Sequence, residues 1–174
     1  PDYLSETDLE VLNGDTLADY DLSAEIAQHA ATGARATLAL VPVEDPTAYG
    51  VVLTDDQKRV EAFLEKPSRE DAPADPRINA GAYVLEREVL EMIPAGENRS
   101  FEHDVFPQLV GDGIYAYDAE GYWLDLGTPE RYVLATRDLL ALPLPPMDAG
   151  GCALVNLQKL AAQIVAPGES LPVV

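Results

Sequence analysis

The sequence predicts an α/β protein, a Rossmann-like three-layer α/β/α sandwich built around a mixed, mostly parallel sheet that is incomplete at its N-terminus. Strand patterns alternate with helix patterns along most of the chain, which is the order expected when helices cover both faces of a sheet. The run ATLALVPV, residues 36–43, is almost continuously apolar, as are strands buried on both faces of a parallel sheet. With 174 residues, 47% of them hydrophobic, the chain can form one domain with a sizeable core.

The first predicted elements are a strand, a helix and the apolar strand. An apolar run over 8–13 is closed by Gly14. A helix is predicted over 22–32, because Asp21 can cap its first turn and Gly33 can end it. The residues expected to face the core from this helix are Leu22, Ile26 and Ala30.

A hairpin is predicted next, because strand patterns over 49–53 and 60–65 flank a polar turn over 54–58. A polar, proline-containing loop then covers 68–77. The remaining predicted elements are a strand over 78–85, a short helix over 86–93, a helix over 101–110, strands over 114–117 and 122–126, and a helix from Pro129 to residue 140. Residues 1–142 are therefore assigned to one domain, of which they form the C-terminal part.

Residues 143–174 are expected to contain a proline-rich linker and the start of a C-terminal extension. Two alternatives are open for the extension. Residues 155–165 fit an amphipathic helix, whereas Val155, Ala161, Pro167 and Val173 recur every six residues, as at the start of a left-handed β-helix. The β-helix would favour a homo-oligomer. Because the sequence opens on Pro1 and stops within a strand-like pattern, we expect a piece of a longer protein.

The formal net charge of −20 restricts the classes of partner. So acidic a surface repels the nucleic-acid backbone and anionic membranes, and we expect neither as a partner. A nucleotide is compatible, because a local site and a cation can hold it. No apolar run is long enough to span a bilayer, and no signal peptide is visible. The single Cys152 excludes an internal disulfide and fits a reducing compartment, so a cytoplasmic protein is expected.

Asp15 and Asp125 are candidate metal ligands, because each lies at the end of a predicted strand. In open α/β sheets, ligands bind beyond the carboxyl ends of the strands, which would bring both carboxylates to one rim. Hard oxygen ligands of this kind suit Mg²⁺. The alternatives are that Asn13-Gly14-Asp15 is only a turn and that Asp125 bonds the start of the next helix.

Two further pairs of residues are candidates for binding a polar ligand. Glu65 and Lys66 end a strand, where they could bind hydroxyls and a phosphate or could form a solvated charge pair. Asn79 offers both a donor and an acceptor. Gly81, inside an otherwise good strand, indicates either the close approach of a ligand or a bulge.

Two other patterns are expected to be structural. Asp19-Tyr20-Asp21 is a D-x-D pattern, typical of metal sites in glycosyltransferases, but Asp21 fits better as the helix cap. The two histidines, His29 and His103, have no metal-ligand spacing and are expected to be structural or exposed.

Five motifs occur in order along the chain: NGD at 13–15, YG at 49–50, EKP at 65–67, NAGAY at 79–83 and WLDLGTPE at 123–130. Together they resemble the sugar-1-phosphate nucleotidyltransferases, also called NDP-sugar pyrophosphorylases. Within that family, the chain is most similar to mannose-1-phosphate guanylyltransferases and glucose-1-phosphate thymidylyltransferases. The resemblance implies a transferase that joins an NTP and a sugar-1-phosphate with Mg²⁺, giving an NDP-sugar and pyrophosphate.

The resemblance also implies roles for individual residues. Asp15 and Asp125 would be the catalytic carboxylates that hold Mg²⁺, and Lys66 would contact the sugar phosphate. The other residues implied are Tyr49, Gly50, Glu65, Asn79 and Gly81 for binding the substrate, and Trp123 for packing beneath Asp125.

The sequence also departs from the family. The Gly-rich loop of the form G-G-x-G-T-R-L, which precedes these motifs and binds the nucleotide, has no counterpart among the 174 residues. These residues alone are therefore expected to lack full transferase activity. Two alternatives are open, a non-catalytic sugar-nucleotide-binding subunit and a GT-A-type glycosyltransferase. The sequence does not specify the nucleobase or the sugar.

Overall fold

The computed structural model describes residues 8–141, which form a six-stranded mixed sheet, a separate two-stranded sheet and helices on both faces of the larger sheet. The strands are β1 (Asp8–Leu12), β2 (Thr16–Asp19), β3 (Ala36–Pro42), β4 (Gly50–Thr54), β5 (Val60–Glu65), β6 (Arg77–Glu86), β7 (Ile114–Asp118) and β8 (Tyr122–Asp125). The α-helices are α1 (Leu22–Thr32), α2 (Arg87–Leu90), α3 (Phe106–Leu109) and α4 (Pro129–Ala141). The predicted α/β class and mixed sheet are confirmed.

The larger sheet has the order β5-β4-β6-β3-β7, with β1 also paired to β6. The expected predominance of parallel pairs is wrong for the described strands, because only β3 and β7 are parallel neighbours. The pairs of β6 with β1, β3 and β4, and of β4 with β5, are antiparallel. The physical reason is the direction of the central strand β6, which runs antiparallel to all three of the strands paired with it.

Strand β3 is buried on both faces, as its apolar sequence predicts. Leu38 and Leu40 belong to one buried cluster, and Ala39 and Val41 belong to another, so successive side chains alternate between two cores. Helices α2 and α3 complete the first core with Val89, Phe106 and Leu109. Helix α1 lies over the second core, to which Leu22 is packed. The three-layer arrangement is therefore present in the described residues.

Helix α1 buries a different face from the one predicted. The expected stripe of Leu22, Ile26 and Ala30 is only partly buried or exposed. Glu25 and His29 are instead buried to 1% and 2% exposure, one helical turn apart. His29 Nδ1 lies 2.9 Å from the Thr37 hydroxyl oxygen. Burial, and secondarily the charge of Glu10, raise the pKa of Glu25 to about 8.

Asp21 caps α1, as predicted from the sequence. Its Oδ1 accepts a hydrogen bond from the backbone N–H of Ala24 at 3.0 Å, and Gly33 ends the helix in the left-handed conformation. We expect Asp21→Ala to lower the free energy of unfolding by about 1 kcal/mol, because one amide of the first turn loses its acceptor. Chemical denaturation would measure this loss, with the exposed Asp19→Ala as the matched control. Equal losses in the two variants would contradict the capping role.

Two other segments differ from their predictions. Residues 16–19 form β2, which pairs with β8 and was not predicted because the segment is short and ends in an acidic residue. The predicted helix over 101–110 begins as a π-helical turn, Phe101–Val105, before α3. Of the helices between residues 8 and 141, none combines the length and apolar character needed to cross a membrane. The linker and extension predicted over 143–174 lie outside the described residues.

Candidate active site

The candidate site lies at a gap along one edge of β6. Strand β3 pairs with both ends of β6 and so occupies one of its edges. On the other edge, β1 pairs from Ala82 onward and β4 pairs at Ile78. Residues 79–81 therefore lie between the end of β1 and the start of β4. The register between β3 and β6 also shifts here, which supports the bulge, one of the two alternatives open for Gly81.

A cleft of about 210 Å³ opens over this gap. It collects side chains from both sheets and from the π-helical turn, although these segments are far apart in sequence. The lining residues are Asn13, Asp15, Thr16, Tyr49, Gly50, Ile78, Asn79, Ala80, Gly81, Glu102, Trp123 and Asp125. Six predicted site residues are therefore brought together, and Glu65 and Lys66 are not among the lining residues.

The two candidate metal ligands lie at the end of the small sheet, where Asp125 ends β8 and Asp15 immediately precedes β2. Thr16 is paired with Asp125 across β2 and β8, and the backbone N–H of Leu126 donates to the carbonyl of Asp15 at 2.8 Å. This pairing holds Asp15 and Asp125 on adjacent chain segments at one side of the cleft. The alternative that Asp125 bonds the start of the next helix has support, because its Oδ1 accepts from the backbone N–H of Gly127 at 2.9 Å, just before α4.

The donor set at this position fits Mg²⁺. Asp15 is exposed, and the Oδ2 of Asp125 has no hydrogen-bond partner among the described residues. The described residues contain no group of three or more His, Cys, Asp or Glu side chains with metal-binding geometry. Mg²⁺ commonly takes only one or two carboxylates and completes its shell with water and phosphate oxygens. Asp15 and Asp125 are therefore the residues that would hold it.

The opposite side of the cleft is formed by Tyr49 and Gly50. Gly50 is paired with Glu65 across the β4–β5 hairpin, and the Glu65 carboxylate lies 3.6 Å from where a side chain on Gly50 would begin. The backbone N–H of Lys66 donates to the Tyr49 carbonyl at 3.2 Å. Glu65 and Lys66 thus adjoin this wall at its outer rim.

Lys66 has two features that distinguish it from an ordinary surface lysine. Its φ of 41° lies in the left-handed region, which is uncommon for a residue with a side chain. Its side chain is 63% exposed, and its ion pair with Glu65 is long, at 3.8 Å. An exposed pair with this separation contributes little to stability. The ammonium group therefore keeps its conformational freedom to meet an anion at the rim.

The floor of the cleft carries a hydrogen-bond network centred on Asn79. The Asn79 amide donates to the Tyr83 hydroxyl at 2.8 Å and to Glu102 Oε1 at 3.0 Å, and its Oδ1 accepts from the backbone N–H of Gly81 at 3.0 Å. Burial raises the pKa of Tyr83 above its ordinary value. The network fixes Asn79 and leaves the Glu102 carboxylate facing the cleft as a hydroxyl acceptor.

A model of the nucleotidyl transferase family matches residues 2–141. The chain belongs to the nucleotidyl transferase family. The resemblance inferred from the five motifs is thereby confirmed.

Curated relatives of this nucleotidyl transferase domain act on sugar phosphates according to their names. The chain is 49% identical over 133 residues to a mannose-1-phosphate guanylyltransferase from Mycobacterium tuberculosis, covering 75% of this chain and 36% of the relative. It is 40% identical over 145 residues to a UTP–glucose-1-phosphate uridylyltransferase from Synechocystis, covering 81% and 37%. The chain therefore spans less than two fifths of the length of these two relatives.

Solved structures confirm the fold. HddC from Yersinia pseudotuberculosis superposes with a TM-score of 0.62 at 26% identity, covering 79% of this chain and 57% of that chain. A putative glucose-1-phosphate thymidylyltransferase from Bacillus anthracis superposes with a TM-score of 0.65 at 18% identity, covering 83% and 59%. At this low identity, the second match supports the fold alone.

Two residues of the nucleotidyl transferase site were not predicted from the sequence. Glu102 was assigned to the first turn of a helix, and its position over Asn79 depends on how the π-helical turn packs on β6. Arg131 follows the GTPE motif and binds both Asp125 and Tyr49. An acid or an arginine in the first turn of a helix is common, so neither residue had a distinguishing local signal.

The remaining candidates have structural positions in this nucleotidyl transferase. Asp21 caps α1, as predicted, and Asp19 is exposed on β2. His29 is buried against Thr37, and His103 is exposed. The predicted helix cap is thereby confirmed, and the two histidines occupy positions of the kind that the sequence predicts.

Gly81 is expected to be sensitive to substitution. It has a φ of 78°, and an added Cβ would lie 2.7–3.0 Å from three atoms of the Asn13 side chain. We expect Gly81→Ala to lower the free energy of unfolding by about 2 kcal/mol, through backbone strain and displacement of Asn13. Gly33→Ala is the matched control, because Gly33 has a φ of 61° but open space around it. Chemical denaturation would compare them, and an equal loss would contradict the close approach of Asn13.

Proposed function

We propose that this chain forms the sugar-phosphate-binding and metal-binding part of a Mg²⁺-dependent sugar-1-phosphate nucleotidyltransferase. The observation that carries the proposal is the position of Asp15 and Asp125 on one side of the cleft that Gly50, Asn79 and Gly81 line on its other sides. Carboxylates for a cation and groups for hydroxyls thus lie within one site.

Each wall of the cleft has a defined task in the proposed reaction. The Asn79 Oδ1 and the Glu102 carboxylate accept hydrogen bonds from sugar hydroxyls, and Gly50 allows the backbone to approach the sugar closely. Lys66, at the rim, binds the phosphate as a point charge. These contacts hold the sugar-1-phosphate with its phosphate directed toward Asp15 and Asp125.

The proposed reaction is an in-line displacement at phosphorus. A phosphate oxygen of the sugar-1-phosphate forms a bond to the α-phosphorus of the NTP, and the bond between the α-phosphorus and the bridging oxygen breaks to release pyrophosphate. Mg²⁺, when bound, would neutralise charge on the phosphates. Asp15 and Asp125 would hold the cation at the cleft, and the walls of the cleft would position the attacking phosphate. The reaction then needs no covalent enzyme intermediate.

A mannose-1-phosphate and GTP pair is the first substrate pair to test, because the Mycobacterium tuberculosis relative named for it is 49% identical to this chain. The Synechocystis relative is named for UTP and glucose-1-phosphate at 40% identity. The alternative pair must therefore be tested in parallel.

The experiment that tests the proposal is a calorimetric titration of the chain with each sugar-1-phosphate, with Mg²⁺ or with EDTA. We expect binding that requires both the sugar and the cation, so mannose and inorganic phosphate alone should bind much more weakly. The same samples, supplied with each NTP, would be analysed for pyrophosphate and NDP-sugar. Sugar-1-phosphates that bind no better than inorganic phosphate would contradict the proposal. Binding of a finished NDP-sugar without binding of any sugar-1-phosphate would favour a non-catalytic sugar-nucleotide-binding subunit.

A further inference from the structure

Arg131 connects the two sides of the cleft. Its Nη1 donates to Asp125 Oδ1 at 3.0 Å, and its Nη2 donates to the Tyr49 hydroxyl oxygen at 2.8 Å. Asp125 ends β8 in the small sheet, whereas Tyr49 immediately precedes β4 in the large sheet. One guanidinium group therefore joins the candidate metal-binding wall to the wall that contains Gly50.

A second contact strengthens this connection. The Tyr49 ring meets Trp123 edge-on, with ring centroids 6.2 Å apart and an interplanar angle of 75°. The Trp123 indole N–H donates to the Ala80 carbonyl on the floor of the cleft at 2.9 Å. Arg131, Tyr49 and Trp123 thus form a continuous chain of contacts across the cleft, from Asp125 to β6. We call these three residues the clasp.

The backbone around Arg131 fixes where its side chain starts. Thr128 caps the first turn of α4, with its hydroxyl oxygen 3.3 Å from the backbone N–H of Arg131. Asp125 precedes that turn and is held by the N–H of Gly127 through the same Oδ1 that Arg131 binds. Both contacts fall on Oδ1, so Oδ2 is the oxygen left for a ligand among the described contacts.

We propose that Arg131 is a positioning residue, which orients the Asp125 carboxylate and sets the distance between the two walls of the cleft. The inference rests on the proposed function, because the ligand that Asp125 would hold belongs to that function. Arg131 acts through Asp125 and Tyr49 and is not among the residues that line the cleft. Its planar group can bind two partners in fixed directions, which the single ammonium of a lysine cannot reproduce.

A role as a simple counter-charge would have different consequences. A positive charge near Asp125 competes with a cation, so removing it would tighten metal binding, and a lysine would replace it fully. A positioning role predicts weaker metal binding in Arg131→Lys, although the charge is kept. It also predicts that Tyr49→Phe, which leaves every charge in place, weakens metal binding in the same direction.

The test is a double-mutant cycle on Mn²⁺ affinity, measured by electron paramagnetic resonance with the 174-residue chain. We expect Arg131→Lys to bind Mn²⁺ about tenfold more weakly, as is usual when a residue that orients a metal ligand is changed. Tyr49→Phe should weaken binding several-fold, and the double variant should bind no more weakly than Arg131→Lys alone. The matched control is Arg137→Lys, an exposed arginine on the same helix, which should bind as the wild type does.

A fluorescence measurement made without any metal complements the double-mutant cycle. Trp123 is the single tryptophan of the chain, so its fluorescence reports on the clasp alone. Acrylamide quenching should increase in Arg131→Lys and in Tyr49→Phe and stay unchanged in Arg137→Lys. Circular dichroism identifies any variant that has not folded. If Arg131→Lys does not fold, Tyr49→Phe, which removes only one hydroxyl group, still tests the positioning role.

The outcomes separate this inference from the proposed function. In one outcome, the wild-type chain binds both Mn²⁺ and mannose-1-phosphate, while Arg131→Lys and Tyr49→Phe bind Mn²⁺ with the same affinity as the wild type. That result would overturn the positioning role and leave the proposed function in place. Tighter Mn²⁺ binding in Arg131→Gln with unchanged binding in Arg131→Lys would also overturn it, in favour of a counter-charge. A wild-type chain that binds neither ligand would contradict the proposed function, and the positioning role would fall with it.

Discussion

Asp125→Asn is expected to weaken Mn²⁺ or Mg²⁺ binding to the chain by about 100-fold or more. The substitution keeps the shape of the side chain but removes the negative charge that a hard cation requires. Changing even a residue that only supports a metal ligand typically weakens binding 10–100-fold, so changing a ligand should do at least as much. Isothermal titration with each metal would measure the loss, and any nucleotidyl transfer should fall in proportion.

Loss of folding should not explain that result. Asp125 and Arg131 are 36% and 37% exposed, and an ion pair this accessible contributes less than about 1 kcal/mol to stability. Asp19→Asn is the matched control, because it makes the same change at an exposed position of β2, the strand paired with β8. Equal metal affinity in Asp125→Asn and the wild type would remove Asp125 from the site.

Glu25→Gln is expected to stabilise the chain above pH 8 by about 3–5 kcal/mol relative to the wild type. Burial raises the pKa of Glu25 from its ordinary 4.5 to about 8. Between these pH values the folded chain keeps the proton and the unfolded chain releases it. The contribution of Glu25 to the free energy of unfolding therefore falls as the pH rises, by about 1.4 kcal/mol per pH unit, and levels off above pH 8.

Urea denaturation from pH 5 to pH 9 would measure this effect as the difference between the wild type and Glu25→Gln. The neutral glutamine has no proton to release, so the two proteins should have similar stability near pH 5 and diverge toward pH 8. When Glu10→Gln is present in both proteins, their stability curves should stop diverging at a lower pH, because the Glu10 charge contributes to the raised pKa of Glu25. Glu44→Gln, at an exposed position, is the control. Parallel stability curves for wild type and Glu25→Gln would contradict the buried, protonated carboxyl.

Sequence patterns predicted most elements because those elements carry local signals. Helix α1 has its cap at Asp21 and its left-handed end at Gly33, and both appear where the sequence indicates. The buried face of the same helix could not be predicted. Glu25 and His29 occupy positions that hydrophobicity assigns to solvent, and tertiary packing against β3 places them inside.

The pairing of the strands was predicted less well, for a related reason. Alternating strand and helix patterns are typical of parallel sheets, but the direction of a neighbour depends on what connects the strands. The four-residue β2 is stabilised by β8, more than a hundred positions later, so its own sequence carries little signal.

The candidate site shows the same division between local and tertiary information. Five predicted site residues lie at or beside strand ends or within the irregular part of β6, and the structure brings them to one cleft: Asp15, Gly50, Asn79, Gly81 and Asp125. Their proposed roles in binding metal and sugar stay predictions. Glu102 and Arg131 have no such local mark, and only the folded chain places them against Asn79 and Asp125.

The gap along β6 has a consequence for the order of events in folding. The cleft over this gap is formed by five segments that are separated by long intervals of chain, namely 12–16, 49–50, 78–81, residue 102 and 122–125. Contacts between distant segments form only after the entropy of closing the intervening loops has been overcome. The cleft therefore has no precursor in any fragment of the sheet, and ligand binding can serve as a strict probe of complete, cooperative assembly.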